Sequence, residues 1–199
     1  MDPDAQLQLL RRAQGGDASA FNSLLRKYFP SVRRFAYSFA QDWAEADDLA
    51  QDALLRVFKS LDQFRGESAF STWVFRIVRN TYIDRTRTRW FKMRKFSKPD
   101  DSLKTQSSPD ETPEALSIKE SDRRLLWSAI RALPAKHSNV IVLVDIEGMD
   151  YQEVAAIEGI PVGTVRSRLS RGRSLLTQKL MRSPTYANDQ NNRLTRRSG

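Results

Sequence analysis

Apolar residues recur along this chain at three- and four-residue intervals and almost never alternate singly with polar ones, which predicts helices throughout. Phe21, Leu24, Leu25 and Tyr28 start one apolar stripe. Val32, Phe35, Ala36 and Phe39 carry it on beyond Pro30, where the helix is expected to break or restart. In the next helix Leu49, Ala50, Ala53, Leu54, Val57, Phe58 and Leu61 share one broad face, predicted to be core. Its opposite face carries Asp48, Gln51, Asp52, Leu55, Arg56 and Lys59. Leu55 in that polar setting is either an anchor for a helical partner or a singly exposed leucine, and spacing alone does not choose. After the turn "FRGES", Phe70, Trp73, Val74 and Ile77 line one side of a third helix, while Arg76, Arg79, Asn80, Ile83, Arg87 and Trp90 form a second stripe. Cations beside large apolar groups suit a nucleic-acid strand, although a solvated arginine face has the same spacing.

The stretch "SKPDDSLKTQSSPDETPE", residues 97–114, holds three prolines, four serines and almost nothing apolar, so it reads as a flexible linker between two modules. Helical periodicity resumes after it, with Leu125, Leu126, Ile130 and Leu133 expected inside and Pro134 ending the helix. "VIVLVDI", residues 140–146, is β-branched enough for a strand but has no partner strand nearby, so a buried helix is expected. Asp150 and Glu153 have capping-box spacing, Gly159 sits where a helix ends in a left-handed turn, and Pro161 precedes a new helix. A short helix, a glycine turn and a longer basic helix make a helix-turn-helix pattern. On the wheel of the longer helix, Val165, Leu169, Gly172, Leu176 and Leu180 face inward. Ser167, Ser170, Arg171, Ser174, Thr177 and Gln178 face outward, with Arg166, Arg168 and Arg173 on the flanks. Short hydroxyls and one arginine fit a DNA major groove, while flanking arginines reach phosphates on either wall.

Composition narrows the chemistry. The 199 residues carry a net charge of +9, unevenly spread. Residues 65–98 hold ten Lys/Arg against two acids and residues 161–199 nine against one, whereas 99–122 hold seven acids and two lysines. Two basic blocks around an acidic spacer point to a polyanionic partner. The absence of cysteine removes disulfides, thiol catalysis and cysteine-ligated zinc. The single histidine, His137, argues against a histidine metal site or a triad, and its plain reading is a polar residue early in a helix. Asp47, Asp48 and Asp52 could be imagined as metal ligands of an enzyme acting on nucleic acid, but on one helix they look like a docking face. No cofactor, metal or small-molecule substrate is expected. With no apolar run near a membrane span's roughly 20 residues and no apolar leader in "MDPDAQLQLLRRAQGGD", a cytoplasmic protein without membrane insertion is expected.

These motifs resemble the extracytoplasmic-function (ECF, group 4) sigma factors of bacterial RNA polymerase, most of all the sigma-E type. "DDLAQDALLRVFKSLDQFRGESAFSTWVFRIVRNTYID", 47–84, is similar to the sigma-2 domain, and "GMDYQEVAAIEGIPVGTVRSRLSRGR", 148–173, to sigma-4. The resemblance implies an all-α protein of two small helical domains, sigma-2 at 1–96 and sigma-4 at 115–182, with a basic disordered tail at 183–199. It implies that Asp48, Gln51, Asp52 and Leu55 dock on the polymerase β′ clamp helices. It assigns Phe64, Arg76, Ile77, Arg79, Asn80 and Ile83 to the minus-10 element, where a flipped non-template base would enter near Phe64, Ile77 and Asn80. Arg166, Ser167, Arg168, Ser170, Arg171 and Arg173 would read duplex minus-35 DNA. Other sigma-4 surfaces would meet the β flap, and an anti-sigma factor clamping both modules is a further implied partner. Ser170 departs from the family, where a bulky aromatic is often found at that position. The alternative is a two-module helix-turn-helix regulator that acts without docking on polymerase.

Overall fold

The computed structural model describes residues 3–40, 42–96 and 118–182, so the expected linker at 97–114 and tail at 183–199 lie outside the described residues. Within them every regular element is helical. The first module holds α1 (Pro3–Gln14), α2 (Ala18–Tyr37), α3 (Trp43–Lys59), a single 3-10 turn (Leu61–Gln63) and α4 (Phe70–Phe96). The second holds α5 (Ile118–Arg131), α6 (Ala135–Ile141), a π-helical turn (Val142–Ile146), α7 (Tyr151–Glu158) and α8 (Val162–Met181).

Local chemistry sets the helix starts. Asp17 accepts from the backbone N–H groups of Ser19 and Ala20 to begin α2, and Asp42 accepts from that of Glu45 to begin α3. These bonds and the Arg12 guanidinium hold the exposed Asp17 carboxyl below its ordinary value. Contrary to the expected break, α2 runs straight through Pro30. Pro30 is exposed, so the carbonyl it leaves without a donor can bind water, and packing on both sides holds the helix together. The first core gathers Leu24, Val32, Phe35, Leu49, Ala53, Val57, Val74 and Val78, with Phe35 edge-on to both Phe39 and Phe75.

Two expectations change. Phe58 belongs by periodicity to the core face of α3, yet it is 57% exposed and only one side of its ring is covered, by Phe21 at 4.8 Å. It sits near the C-terminal end of α3, where α2 no longer covers the whole face. Leu125 and Leu126 are likewise half-buried. The "VIVLVDI" segment is helical as expected, continuing α6 into the π-helical turn with Val140–Leu143 buried.

In the helix-turn-helix, Asp150 and Glu153 form the capping box, and Gly159 has φ 62° at the end of α7. Helix α8 then crosses α6 closely, with Val165, Leu169 and Gly172 buried. Gly172 is needed there for space, because a Cβ would sit 3.0 Å from Ile141 Cδ1 and 3.3 Å from His137 Cβ. His137 is buried, and its Nδ1 lies 3.0 Å from the Arg168 carbonyl oxygen, which can only accept; that nitrogen therefore carries the proton.

The two modules pack on each other. Helix α7 lies along α4, and the π-helical turn meets α2. Trp127 of α5 stands edge-on to Tyr37 and Trp43, which stack at 3.8 Å. Around this aromatic contact the junction is polar and paired. Ser38 donates to Asn139 Oδ1 at 2.9 Å, and Ser138 donates to the Ser38 carbonyl at 3.1 Å. Arg34 forks onto Glu147 with bonds of 2.6 and 3.0 Å. Among the described residues no buried side-chain nitrogen or oxygen lacks a partner.

The α6–α8 crossing makes one sharp prediction. Gly172→Leu forces the two helices apart and should lower stability by about 2–3 kcal/mol in urea unfolding, the range of core overpacking. An unchanged midpoint would show that the crossing is not close.

Candidate functional site

Helix α3 presents Asp48, Gln51, Asp52 and Leu55 at three- and four-residue steps, and all four are exposed. Leu55 is 58% exposed, left largely uncovered by the described residues. Phe58 stands one turn further on, which gives this face two large apolar groups where periodicity alone gives one. The carboxylates are not bare. Arg85 of α4 pairs with Asp52 and donates to the Asp48 carbonyl at 2.8 Å, and Arg56 pairs with Asp84 at 2.6 Å. The third acid, Asp47, lies off this face and pairs with Arg33, whose guanidinium also covers Trp43 at 4.4 Å. Among the described residues no cluster of three or more His, Asp or Glu is set to hold a metal.

Helix α4 divides its residues between three surroundings. Val74, Phe75, Val78 and Thr81 are buried. Arg76 and Asn80 are exposed, as is Ile83 at 40%, while Ile77 is half-buried. Phe64 follows the 3-10 turn and packs on Phe70 at 5.3 Å and Trp73 at 5.2 Å. Trp73, Ile77 and Asn80 are successive turns of α4, so an aromatic and aliphatic row runs from Phe64 to an exposed amide. Gln14 fixes the loop behind this row by donating to the carbonyls of Leu61 and Phe64. The expected site residues Phe64, Ile77 and Asn80 thus fall on one surface.

Arg79 does not share that freedom. It turns toward the second module, with Nε 3.6 Å from Glu158 Oε2. Glu158 ends α7, is 5% exposed and also accepts from Asn139 Nδ2 at 3.2 Å. Burial pushes its carboxyl above the ordinary glutamate value, opposed by Arg79 first and then by the Asn139 bond and Arg168. Two turns back on α4, the buried Thr72 donates to Glu153 Oε1 at 2.9 Å, while Glu153 Oε2 accepts from the Asp150 backbone N–H. A single carboxylate therefore caps the helix-turn-helix and fastens it to the first module.

Helix α8 keeps its polar face outward. Arg166, Ser167, Ser170, Arg171, Ser174, Thr177 and Gln178 are exposed and Arg168 is half-buried. Arg173 is engaged: it forks onto Asp145 with bonds of 3.0 and 2.5 Å, which raises its already high pKa further. Arg166 lies 5.9 Å over the Tyr151 ring. Among the expected readers, Ser170 and Arg171 stand exposed on the outer face, with Ser167 turned back to the Thr164 carbonyl.

The residues that periodicity missed are Arg34, Ser38, Thr72, Asn139, Glu147, Glu153 and Glu158, which join the modules. A signal for them exists in the sequence: residues 145–158 carry five acids and no base, facing a helix whose block is strongly basic.

Two helical modules, the second a basic helix-turn-helix, match in order the two regions of a sigma-70-type initiation factor. Residues 24–92 match the family model for sigma-70 region 2, and residues 123–176 match that for sigma-70 region 4. The chain is 32% identical over 184 residues to the RNA polymerase sigma-H factor of Pseudomonas aeruginosa, covering 87% of this chain and 92% of that one. It is equally 32% identical over 179 residues to the ECF RNA polymerase sigma-E factor of Escherichia coli K12, covering 86% and 92%. Among solved structures it is similar to the sigma factor RpoE in complex with the anti-sigma factor NepR from Bartonella quintana, with TM-score 0.67, 29% identity, and coverage of 82% of this chain and 98% of that one. It is also similar to CnrH in complex with the cytosolic domain of CnrY, with TM-score 0.61, 26% identity, and coverage of 86% and 94%. The chain belongs to the ECF sigma factors of the sigma-70 family, which direct transcription initiation with RNA polymerase. No helix of the described residues is long and apolar enough to cross a membrane.

Buried Glu158 gives the module junction a pH dependence. Its folded-state pKa is raised, so its contribution to stability is full below the unfolded glutamate pKa of about 4.5 and is lost as pH rises through the folded value. The Glu158→Gln protein lacks that loss. Urea midpoints should therefore show Glu158→Gln gaining on wild type between pH 4.5 and neutrality, and parallel profiles would contradict the burial.

Proposed function

We propose that the chain works as an alternative sigma factor through three surfaces. Asp48, Gln51, Asp52 and Leu55, extended by Phe58, dock on the clamp helices of the polymerase β′ subunit. A partner helix would bury Leu55 and Phe58 while its cations replace Arg85 on Asp52. The observation that carries this reading is the 58% exposure of Leu55 in the middle of an acidic face that the fold leaves uncovered.

The row from Phe64 through Ile77 to Asn80 receives a flipped minus-10 base from the non-template strand. Arg76 and Arg79 track its phosphates, and Ile83 flanks the path. Extruding a base costs a few kcal/mol, which stacking on the aromatic end and hydrogen bonds from the amide offset. Helix α8 reads minus-35 duplex DNA, with Ser170 and Arg171 toward base edges and Arg166, Ser167, Arg168 and Arg173 toward the backbone. With serine at position 170, one large stacking contact is replaced by a small hydroxyl, so Arg171 carries more of the discrimination. The remaining surface of the second module meets the β flap. The protein acts in the cytoplasm, performs no bond chemistry of its own, and is a fitting target for an anti-sigma factor, as in the complexes of its two structural relatives. A regulator that bypasses polymerase has no use for the exposed face of α3.

The decisive experiment is transcription in vitro with bacterial core polymerase on a genomic fragment library, with and without the protein; promoter-specific transcripts that depend on it are expected. Leu55→Ala should weaken polymerase binding while leaving affinity for duplex DNA intact, and Asp52→Arg should do the same. Unchanged polymerase affinity in both would contradict the docking assignment. Arg171→Ala should lose about 1–3 kcal/mol of discrimination between cognate and mismatched minus-35 duplexes. An equal loss on all sequences would make Arg171 a phosphate contact. Asn80→Ala should slow promoter opening, read by a fluorescent base in the minus-10 element, more than it weakens the closed complex.

A further inference from the structure

We infer that Gln14, in the last turn of α1, is a positioning residue for minus-10 recognition: it fixes the turn that carries Phe64 and thereby sets how sharply the flipped base is selected. This rests on the role proposed for Phe64. The Gln14 side-chain nitrogen donates to the Leu61 carbonyl at 3.0 Å and to the Phe64 carbonyl at 2.9 Å, across 47 and 50 residues of chain. One atom thus holds the first residue of the 3-10 turn and the residue that follows it. Among side chains, an amide is the group that offers two N–H donors on one uncharged nitrogen. A carboxylate in its place would set a negative charge against two carbonyl oxygens.

The donor is itself held in place. Leu10 and Ala13 bury one side of α1. At its end Gly15, Gly16 and Asp17 donate back to the carbonyls of Arg11, Ala13 and Arg12, with Gly16 at φ 88°. Arg12 donates twice to Asp17 Oδ2, at 2.9 and 2.7 Å, and the other oxygen of Asp17 caps α2. The last turn of α1 is therefore locked to the start of α2, and Gln14 extends from a fixed base. The receiving turn needs that support. Phe64 packs on Phe70 and Trp73, and apolar packing is non-directional. Residues 65–69, which lead from Phe64 into α4, are all exposed. The Phe64 N–H closes the turn on the Leu61 carbonyl at 3.2 Å, whereas the two bonds from Gln14 tie that turn to a different helix. Gln14 acts through Phe64 and touches no base itself. A binding site whose support is about 1 Å too loose does not keep its geometry, and here the geometry is that of the base-selecting ring.

Two variants provide the test. Gln14→Met keeps the length of the side chain and removes both donors, and Gln14→Glu keeps its shape and removes them in a second way. Each is assayed with core polymerase on a promoter recovered from the transcription experiment. A second promoter has the minus-10 base that wild type selects most strongly replaced. The readout is the ratio of the two opening rates, followed by a fluorescent base next to that position. A protein that is merely less stable has less folded material and slows both promoters alike, so its ratio stays that of wild type. Both variants should lower the ratio by about tenfold while affinity for core polymerase is unchanged. Added to Phe64→Ala, Gln14→Met should lower the ratio no further, because the two residues act on one path. A wild-type ratio in either Gln14 variant would overturn the inference, and so would a loss that adds in full to that of Phe64→Ala. A wild-type ratio in Phe64→Ala alone would instead overturn the assignment of the minus-10 surface, a result the Gln14 variants do not decide.

Discussion

The structure turns on how the cations of one helix are answered. Helix α4 must bury Val74, Phe75 and Val78 against α2 and α3 while carrying arginines around the rest of its circumference. Each arginine that reaches inward meets a carboxylate from a different element: Arg85 meets Asp52 of α3, and Arg79 meets Glu158 of α7. Bringing a guanidinium and a carboxylate out of water is unfavourable unless both keep their hydrogen bonds, and breaking such a pair leaves an uncompensated charge. The second module therefore packs on α4 where it can supply acids.

The same junction reaches into the helix-turn-helix. Glu153 caps α7, which orients the turn into α8, and also accepts from Thr72, so α8 and α4 are tied through one side chain. Gly172 and His137 fix α8 on α6 from its other side, which keeps Ser170 and Arg171 outward whichever position the module takes. The exposed face of α3 is tied to α4 by separate pairs, Asp52 with Arg85 and Arg56 with Asp84.

Much of this was legible in the chain. The helical period, the capping box at Asp150 and Glu153, the left-handed Gly159 and the buried seam of Val165 and Leu169 all follow from local rules that tertiary contacts do not override. The exposed row Asp48, Gln51, Asp52 and Leu55 was visible for the same reason. Pro30 and Phe58 were misread because both depend on what lies beyond the helix. Proline is tolerated on the wet side of a helix held by packing, and an apolar face is buried only as far as a neighbour extends over it. The engagement of Arg79 and Arg173 was invisible, since a wheel shows which way a cation points but not which distant carboxylate meets it. Glu158 reads on its own as a surface acid at a helix end, and only the junction buries it.

The central claim is that the charges paired across the junction, Arg34 with Glu147 and Arg79 with Glu158, hold the second module on the first. Its most direct test places dyes through Glu67→Cys and Lys179→Cys, at exposed positions in a chain with no cysteine of its own, and compares energy transfer in the Arg34→Glu protein with that in wild type. The account predicts lower transfer in the variant and its recovery in Arg34→Glu/Glu147→Arg. Equal transfer in all three proteins would contradict it.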